Sequence, residues 1–567
     1  MIGVVANPRH EVAVKEFFEL FKTPWEFHQS DRQYTVLLCD RLDLRTTAQL
    51  VLVFSSLEDS TVNVATSCRG SIGGFVTYKS LRIPIYGNKI TFPEQDDDVL
   101  VDEESEESMV CRYRSSDTVV VRVGYDLFHE IHTLLTAGQP AANASVPTLE
   151  LHVELLRNLI TAAGVRLIEI PPVPEGYKFI ACLTHDVDHP AIRNHRFDRT
   201  MFGFLYRATV LSLLNAFRGR LSVRQMFTNW VAVLRLPFVH LGLAKDFWQP
   251  FDRYQQMEGG PCSTFFVIPF EGDPGRCDAG QAPRLRASAY GASDVAAQIN
   301  TLRSAGCEIG LHGIDAWRDA TKGHTELAEI RRIAGTREVG VRMHWLYFDE
   351  HSPATLEKAG ADYDSTVGYN EAVGYRAGTT QVYKPIGTAR LLELPLHIMD
   401  TALFFPGRLH LSAGDANALV DEIINNAVRL GGVVTVNWHD RSTQPERLWG
   451  DFYVQLIDKL KNRGAWFATA KQTVTWFRKR RSASFDVERQ SETLVVRDNS
   501  AQHTEVPALL VRVHNNQSQF GSEGSVQHPA SRELRFQGSM RVPLNTSFGL
   551  PAPRPDNLPI EALAGEG

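Results

Sequence analysis

Lys178-Phe-Ile-Ala-Cys-Leu-Thr-His-Asp-Val-Asp-His-Pro190 is the stretch whose reading decides the fold. Phe179 to Leu183 are apolar and β-favouring, and Thr184, His185, Asp186, Asp188 and His189 follow at once. A buried strand that ends in a polar cluster is how a parallel α/β barrel presents chemistry at the C-terminal mouth of its sheet. Carboxylates at i and i+2 beside imidazoles suit a cation, with one carboxylate kept ionised as a base by the cation's charge. The same residue types cap ordinary turns, so recurrence downstream has to decide.

The pattern recurs four times. Segment 307–311 (CEIGL) runs into His312, 338–343 (EVGVRM) into His344, 391–396 (LLELPL) into His397, and 433–437 (VVTVN) into Trp438-His439-Asp440. Helical patterns at 293–305, 325–333, 353–359, 416–430, 447–461 and 471–480 alternate with these strands and with two more at 262–269 and 465–470. Such alternation predicts parallel strands in a barrel-like α/β domain. A lone histidine at a strand end is more often structural than catalytic, but barrel strands bring all their C-terminal ends to one mouth. Aspartate and histidine converging there suit a divalent ion, zinc being the expected one, with water at an open position.

Outward from this core, 567 residues exceed a single hydrophobic core and imply two or three domains. With 43% hydrophobic and 22% charged residues and a net charge of -7, the chain reads as a globular protein with no overall basicity for nucleic acid. Seven scattered cysteines without a CxxC pair predict reduced thiols, and the first ten residues, MIGVVANPRH, lack the basic and apolar regions of a secretory signal. A cytoplasmic location is expected. Segment 201–244 is the most apolar, but Arg207, Arg218, Arg220, Arg224, Arg235 and His240 interrupt it, leaving no uncharged run of the roughly 18 residues that span a bilayer. It is expected to form an insertion of helices lying on the domain or on a membrane surface.

Residues 1–146 predict a small α/β domain with strands at 34–39, 50–54 and 118–123 and a helix at 125–135. The acidic run 94–107 reads as a solvated loop. A helix and a proline-rich connector at 147–176 (PPVPEG at 171–176) lead to the barrel at 177–481. The tail, 482–567, has two β-rich runs, 493–497 and 509–513, able to pair with each other, and a polar end expected to be disordered from about residue 515.

The ordered set THDVD (184–188), EIGLH (308–312), VRMHW (341–345), LELPL (392–396) and VNWHD (436–440) resembles the NodB-type polysaccharide deacetylases, carbohydrate esterase family four, over about residues 178–480. It is most similar to an uncharacterised bacterial branch with THDVDH, RxHW and GYRAGT elements, the last here Gly374 to Thr379. The resemblance implies a distorted (β/α) barrel and a metal-dependent hydrolase that removes acetyl from an N-acetylated sugar. It implies Asp186 as general base, Asp188 and His312 as metal ligands, His439 as general acid, and Arg342 and Arg376 as cations orienting the base. Two features depart from the family pattern. Where the family places a second histidine four residues after the first, this chain has Ala316, so His344 is expected as third ligand in preference to Asp315 or His324. The usual TFDDG is here THDVD, which shifts the ligand carboxylate by one residue. An amidohydrolase of the allantoinase type and a non-catalytic carbohydrate-binding protein are the alternative readings.

Overall fold

The computed structural model describes all residues except 42–46, 58–67, 80, 94, 96–98, 116, 220, 261–262, 489–492, 501–504, 515–530 and 544–567. Its central sheet comprises Phe179–Val187 (β1), Thr264–Val267 (β2), Glu308–Gly313 (β3), Val341–Met343 (β4), Ile398–Met399 (β5), Val433–Asn437 (β6) and Ala465–Phe467 (β7). The order is β4-β3-β2-β1-β6-β5, with β7 beside the start of β1, and every pairing is parallel. All nine residues of β1 are buried, as a strand covered on both faces must be. The fold is a distorted (β/α) barrel.

The distortion lies between β4 and β5. Segment 391–396, expected as a strand, is not one: Pro395 has no N–H to give a ladder, and the chain is held by single bridges Val341–Asp364, Asp364–Glu393 and Tyr383–Glu393. Asp364 and Glu393 are buried side by side there, and each keeps one oxygen without a protein partner. The strand proper is the short β5, just after His397.

After β1 the chain leaves the barrel for helices at Arg199–Tyr206 and Ser212–Phe217, joined by a π-helical stretch Arg207–Leu211, and at Val223–His240. These form the expected insertion. Among the described residues no helix is long and apolar enough to cross a membrane.

The N-terminal domain has a six-stranded sheet in which Trp25–Phe27, Ile2–Val5, Val36–Cys39, Leu50–Phe54 and Thr118–Val123 run parallel, with Val110–Ser115 antiparallel at the edge. A long hairpin, Arg69–Tyr78 with Leu81–Thr91, covers part of it. Part of the acidic run lies outside the described residues, but Asp102 is buried against buried Lys89, so that run is not wholly a solvated loop.

Two expectations are corrected. Helix Thr148–Ala162 is no connector, because it is buried in the N-terminal core with Phe17, Tyr125 and Ile131. Its Glu150 accepts hydrogen bonds from Thr379 Oγ1 (2.6 Å) and Thr380 N (2.9 Å), locking that domain to the barrel floor. The tail runs also do not pair with each other. Thr493–Arg497 pairs with Ser484–Glu488 and Ser539–Pro543, whereas Leu509–His514 pairs with Leu167–Glu169 and Ser531–Phe536. Residues 531–543 are therefore ordered sheet, because Val511, Phe536 and Val542 share a core with Ile180 and Trp476 of the barrel.

Candidate metal and acid–base site

At the mouth, β1 delivers Asp186 and Asp188, β3 delivers His312, and the residue after β4 is His344. Asp188 Oδ1 lies 3.2 Å from His312 Nε2 and 3.3 Å from His344 Nδ1, and the two nitrogens are 3.0 Å apart. Each ring is fixed from behind: His312 Nδ1 faces the Arg342 carbonyl at 3.0 Å and His344 Nε2 the Arg286 carbonyl at 3.1 Å. With those nitrogens donating, the two facing nitrogens present lone pairs to one another and to the carboxylate, as in metal sites oriented by backbone carbonyls. Buried Asp188 Oδ1 has no hydrogen-bond partner of its own. Burial keeps His344 below the usual histidine range, hence neutral. Two imidazoles and a carboxylate converging within 4.8 Å fit a divalent ion.

Arg286, fully buried, clamps the His344 loop by donating to the carbonyls of Ile314 (2.9 Å) and His344 (3.0 Å). Trp345 and Leu346, just beyond, are both left-handed (φ 62° and 53°), a conformation unfavourable for residues with side chains.

Asp186 lies deeper. Arg342 Nη1 donates to its Oδ1 at 3.1 Å and Asn437 Nδ2 to its Oδ2 at 2.7 Å. Burial acts to raise its pKa, yet His312, Arg342 and His439 outweigh burial and leave it lowered, hence an ionised acceptor. Its Oδ2 is 3.9 Å from His312 Nε2 and 4.0 Å from His439 Nε2. Arg342 is held in turn by Thr184 Oγ1 (2.6 Å) and Ser365 Oγ (2.9 Å).

His439 closes the site from the end of β6. Its Nδ1 is 2.6 Å from Asp400 Oδ1, and its backbone N–H donates to Asp400 Oδ2 at 2.6 Å. Burial alone would depress this imidazole, but Asp400, backed by Asp188 and Asp186, reverses the sign and lifts its pKa to about 9. The side chains of Asp188 and His439 are 19% and 14% exposed, against 6% or less for His312, His344 and Asp186, so approach is from their side.

Asp186, Asp188, His312, His344, His439 and Arg342 thus come together. Arg376 does not: its guanidinium donates to the Gly368 carbonyl (3.0 Å) and lies near the Phe348 ring. The GYRAGT element serves the domain junction. A Cβ on Gly374 (φ 138°) would come within 2.0 Å of the Ala144 carbonyl oxygen, and between the domains Gln139 N donates to the Arg376 carbonyl and Tyr375 N to the Ala144 carbonyl, both at 2.7 Å. His397 is also structural, its ring between the Thr379 carbonyl and Thr435 N, with a pKa pushed down to about 4 by burial. His185 is held by Glu258 Oε1 and the Trp438 carbonyl, both at 2.8 Å, and His189 Nδ1 faces His195 at 3.1 Å. Asp315 is engaged with Lys322 and Arg276 N, and His324 is exposed.

Sequence reasoning missed Asp400 and Asn437. Asn437 sat unused within the VNWHD motif, and the signal for Asp400 was an aspartate just past the LELPL strand signal, three residues beyond His397.

Barrel and cluster define a class: a (β/α) barrel whose mouth carries a candidate divalent-metal centre between a buried aspartate and an aspartate-held histidine. Solved structures similar to the chain include polysaccharide deacetylases and esterases of carbohydrate esterase family 4. One, from Mycobacterium smegmatis and described provisionally as a polysaccharide deacetylase, is 21% identical over 55% of this chain and 95% of its own, with a TM-score of 0.33. A family 4 acetyl xylan esterase from Clostridium thermocellum in complex with a cobalt ion is 15% identical over 52% and 91%, TM-score 0.23. A polysaccharide deacetylase from Bacillus cereus is 11% identical over 51% and 92%, TM-score 0.23. No protein-family model matches the chain, and no curated protein matches it. At these TM-scores the functional reading rests on the site's own geometry.

Proposed function

We propose that the protein is a metal-dependent hydrolase that removes acetyl from an N-acetylated sugar. The observation that carries this reading is the opposition of an ionised Asp186 and a protonated, Asp400-held His439 across the Asp188–His312–His344 cluster. Bound by those three residues, a divalent ion, zinc by its donor set, would polarise the acetyl carbonyl and ease deprotonation of water.

The chain's own residues do the rest. Asp186 takes a proton from the water as its oxygen bonds to the carbonyl carbon, and Arg342 and Asn437 hold that carboxylate in place. His439 Nε2–H then gives its proton to the amide nitrogen as the C–N bond breaks, releasing acetate and the free amine. Each such proton transfer contributes about 10²- to 10⁴-fold. An acid with a pKa near 9 suits this task, because the group it protonates leaves as an amine. Trp345, 37% exposed beside His344, offers a flat apolar face on which a sugar ring can pack.

The test is metal analysis of the purified protein with an acetate-release screen over free, nucleotide-linked and polymeric N-acetyl sugars. One divalent ion per chain and chelator-sensitive acetate release are expected. A metal-free protein that binds glycans and releases no acetate would replace this reading with a binding role.

A further inference from the structure

A surface helix needs one apolar stripe, facing its core. The helices of the insertion carry two. In Arg199–Phe217 the inward stripe is Met201, Phe204 and Ala208, and in Val223–His240 it is Ala232, Leu236 and Val239, all packed around Trp248. The second stripe points to solvent: Phe202, Tyr206, Val210, Leu213 and Phe217 on the first helix, and Val223, Phe227, Val231, Leu234 and Phe238 on the second. Both repeat at three- and four-residue spacing, the period of one helix face. Exposure reaches 81% at Phe217 and 73% at Leu234. Along about 20 Å of each helix, this forms an apolar surface larger than isolated exposed side chains would give.

Charge identifies what covers it. Residues 193–245 contain nine arginines and lysines and one carboxylate, Asp198, in a chain whose net charge is -7. Among the described residues Arg196, Arg199, Arg218, Arg224 and Arg235 make no ion pair and are exposed. A second copy docked through the same face would set arginine against arginine. An apolar stripe with a cationic rim matches a surface that is apolar within and anionic outside.

We infer that this helical hairpin seats the protein on an anionic lipid bilayer and brings the barrel mouth to the membrane surface. The hairpin is joined to the site: Arg207 pairs with Glu446 at 3.0 Å and Asn229 Oδ1 accepts from Glu446 N at 2.7 Å, on the loop that leaves His439. Resting on the deacetylase reading, this makes the substrate a saccharide carried on a lipid.

The experiment uses the full chain and vesicles of phosphatidylcholine with or without 30% phosphatidylglycerol, composition being a choice of assay. Co-sedimentation is expected to favour the anionic vesicles by at least about tenfold and to weaken with salt. A Phe217→Ser, Phe227→Ser, Leu234→Ser variant should lose about tenfold or more, as should Arg218→Glu, Arg224→Glu, Arg235→Glu, at unchanged melting temperature. Acetate release from a soluble N-acetyl sugar should be unaffected in both variants, and release from the same sugar on a vesicle lipid should fall. No sedimentation of the wild type, equal binding to neutral vesicles, wild-type binding by the apolar variant, or a solution dimer abolished by that variant would each overturn the inference. Vesicle binding without any acetate release would leave the docking standing and remove the deacetylase reading alone.

Discussion

The two ends of the barrel bury charge in opposite ways. At the mouth, Asp186, Asp188, His312, His344 and His439 face one another across a small space, and what each does depends on which neighbour holds a proton. At the floor, charge is tied to main chain or to a single opposite charge. Arg480 donates to the carbonyls of Ile170 (2.9 Å), Glu19 (3.1 Å) and Leu20 (2.9 Å), and Arg481 grips Glu16 with two bonds of 2.7 and 2.8 Å. The first arrangement is built to change its proton distribution, and the second is built to hold the N-terminal domain and the barrel as one body. Mouth substitutions should therefore silence the protein without loosening it, and floor substitutions should do the reverse.

The sharpest break is Asp186→Asn. It keeps the shape of the carboxylate and removes its basicity, so turnover should fall by about 10²- to 10⁴-fold, roughly 3–5 kcal/mol of activation free energy, with an unchanged melting temperature. Loss of turnover with equal loss of stability would show that the mouth is structural after all.

Arg480→Ala should cost about 3 kcal/mol of stability, since three buried carbonyls lose a charged donor. Denaturant unfolding measures it, and kcat of the folded enzyme should stay within a factor of about two.

The smallest effect sharpens the contrast. His439 owes its pKa of about 9 to Asp400, so activity should persist from neutral pH and decline as pH rises through about 9. The raised pKa also means that the folded state gains stability from this proton, fully below the unfolded value and lost on passing about 9. In Asp400→Asn the alkaline limb should move down toward about 6.5, costing roughly thirtyfold at pH 8, about 2 kcal/mol. A pH–rate profile that does not move would detach Asp400 from the acid.

How much of this could be read in the sequence follows the range of the interactions. Residues at strand ends were legible, because a buried run that stops at Asp or His projects that residue at the mouth whatever the rest of the chain does. Asp400 was not, since its meaning comes from a contact with His439, 39 residues away in sequence and behind a strand of only two residues. Arg376 and His397 misled for the mirror reason. Both follow strong local patterns, and only the docked N-terminal domain and the crossing Thr379–Thr435 backbone show that they serve packing. The tail was misread because its strands find partners in Leu167–Glu169 and on the barrel's flank, beyond any local window.

The gap between β4 and β5 has a consequence of its own. Where neighbouring strands are laced by a full ladder, this circumference is stitched by single bridges at Asp364 and Glu393, whose two unpartnered carboxyl oxygens can be reconciled by one hydrogen. Burial raises both acids, Asp364 to about 6, and the charge of Asp364 raises Glu393 further. A proton held between these two acids would add a side-chain button to the main-chain stitching, complete below the ordinary carboxylate range and undone as rising pH strips that proton away.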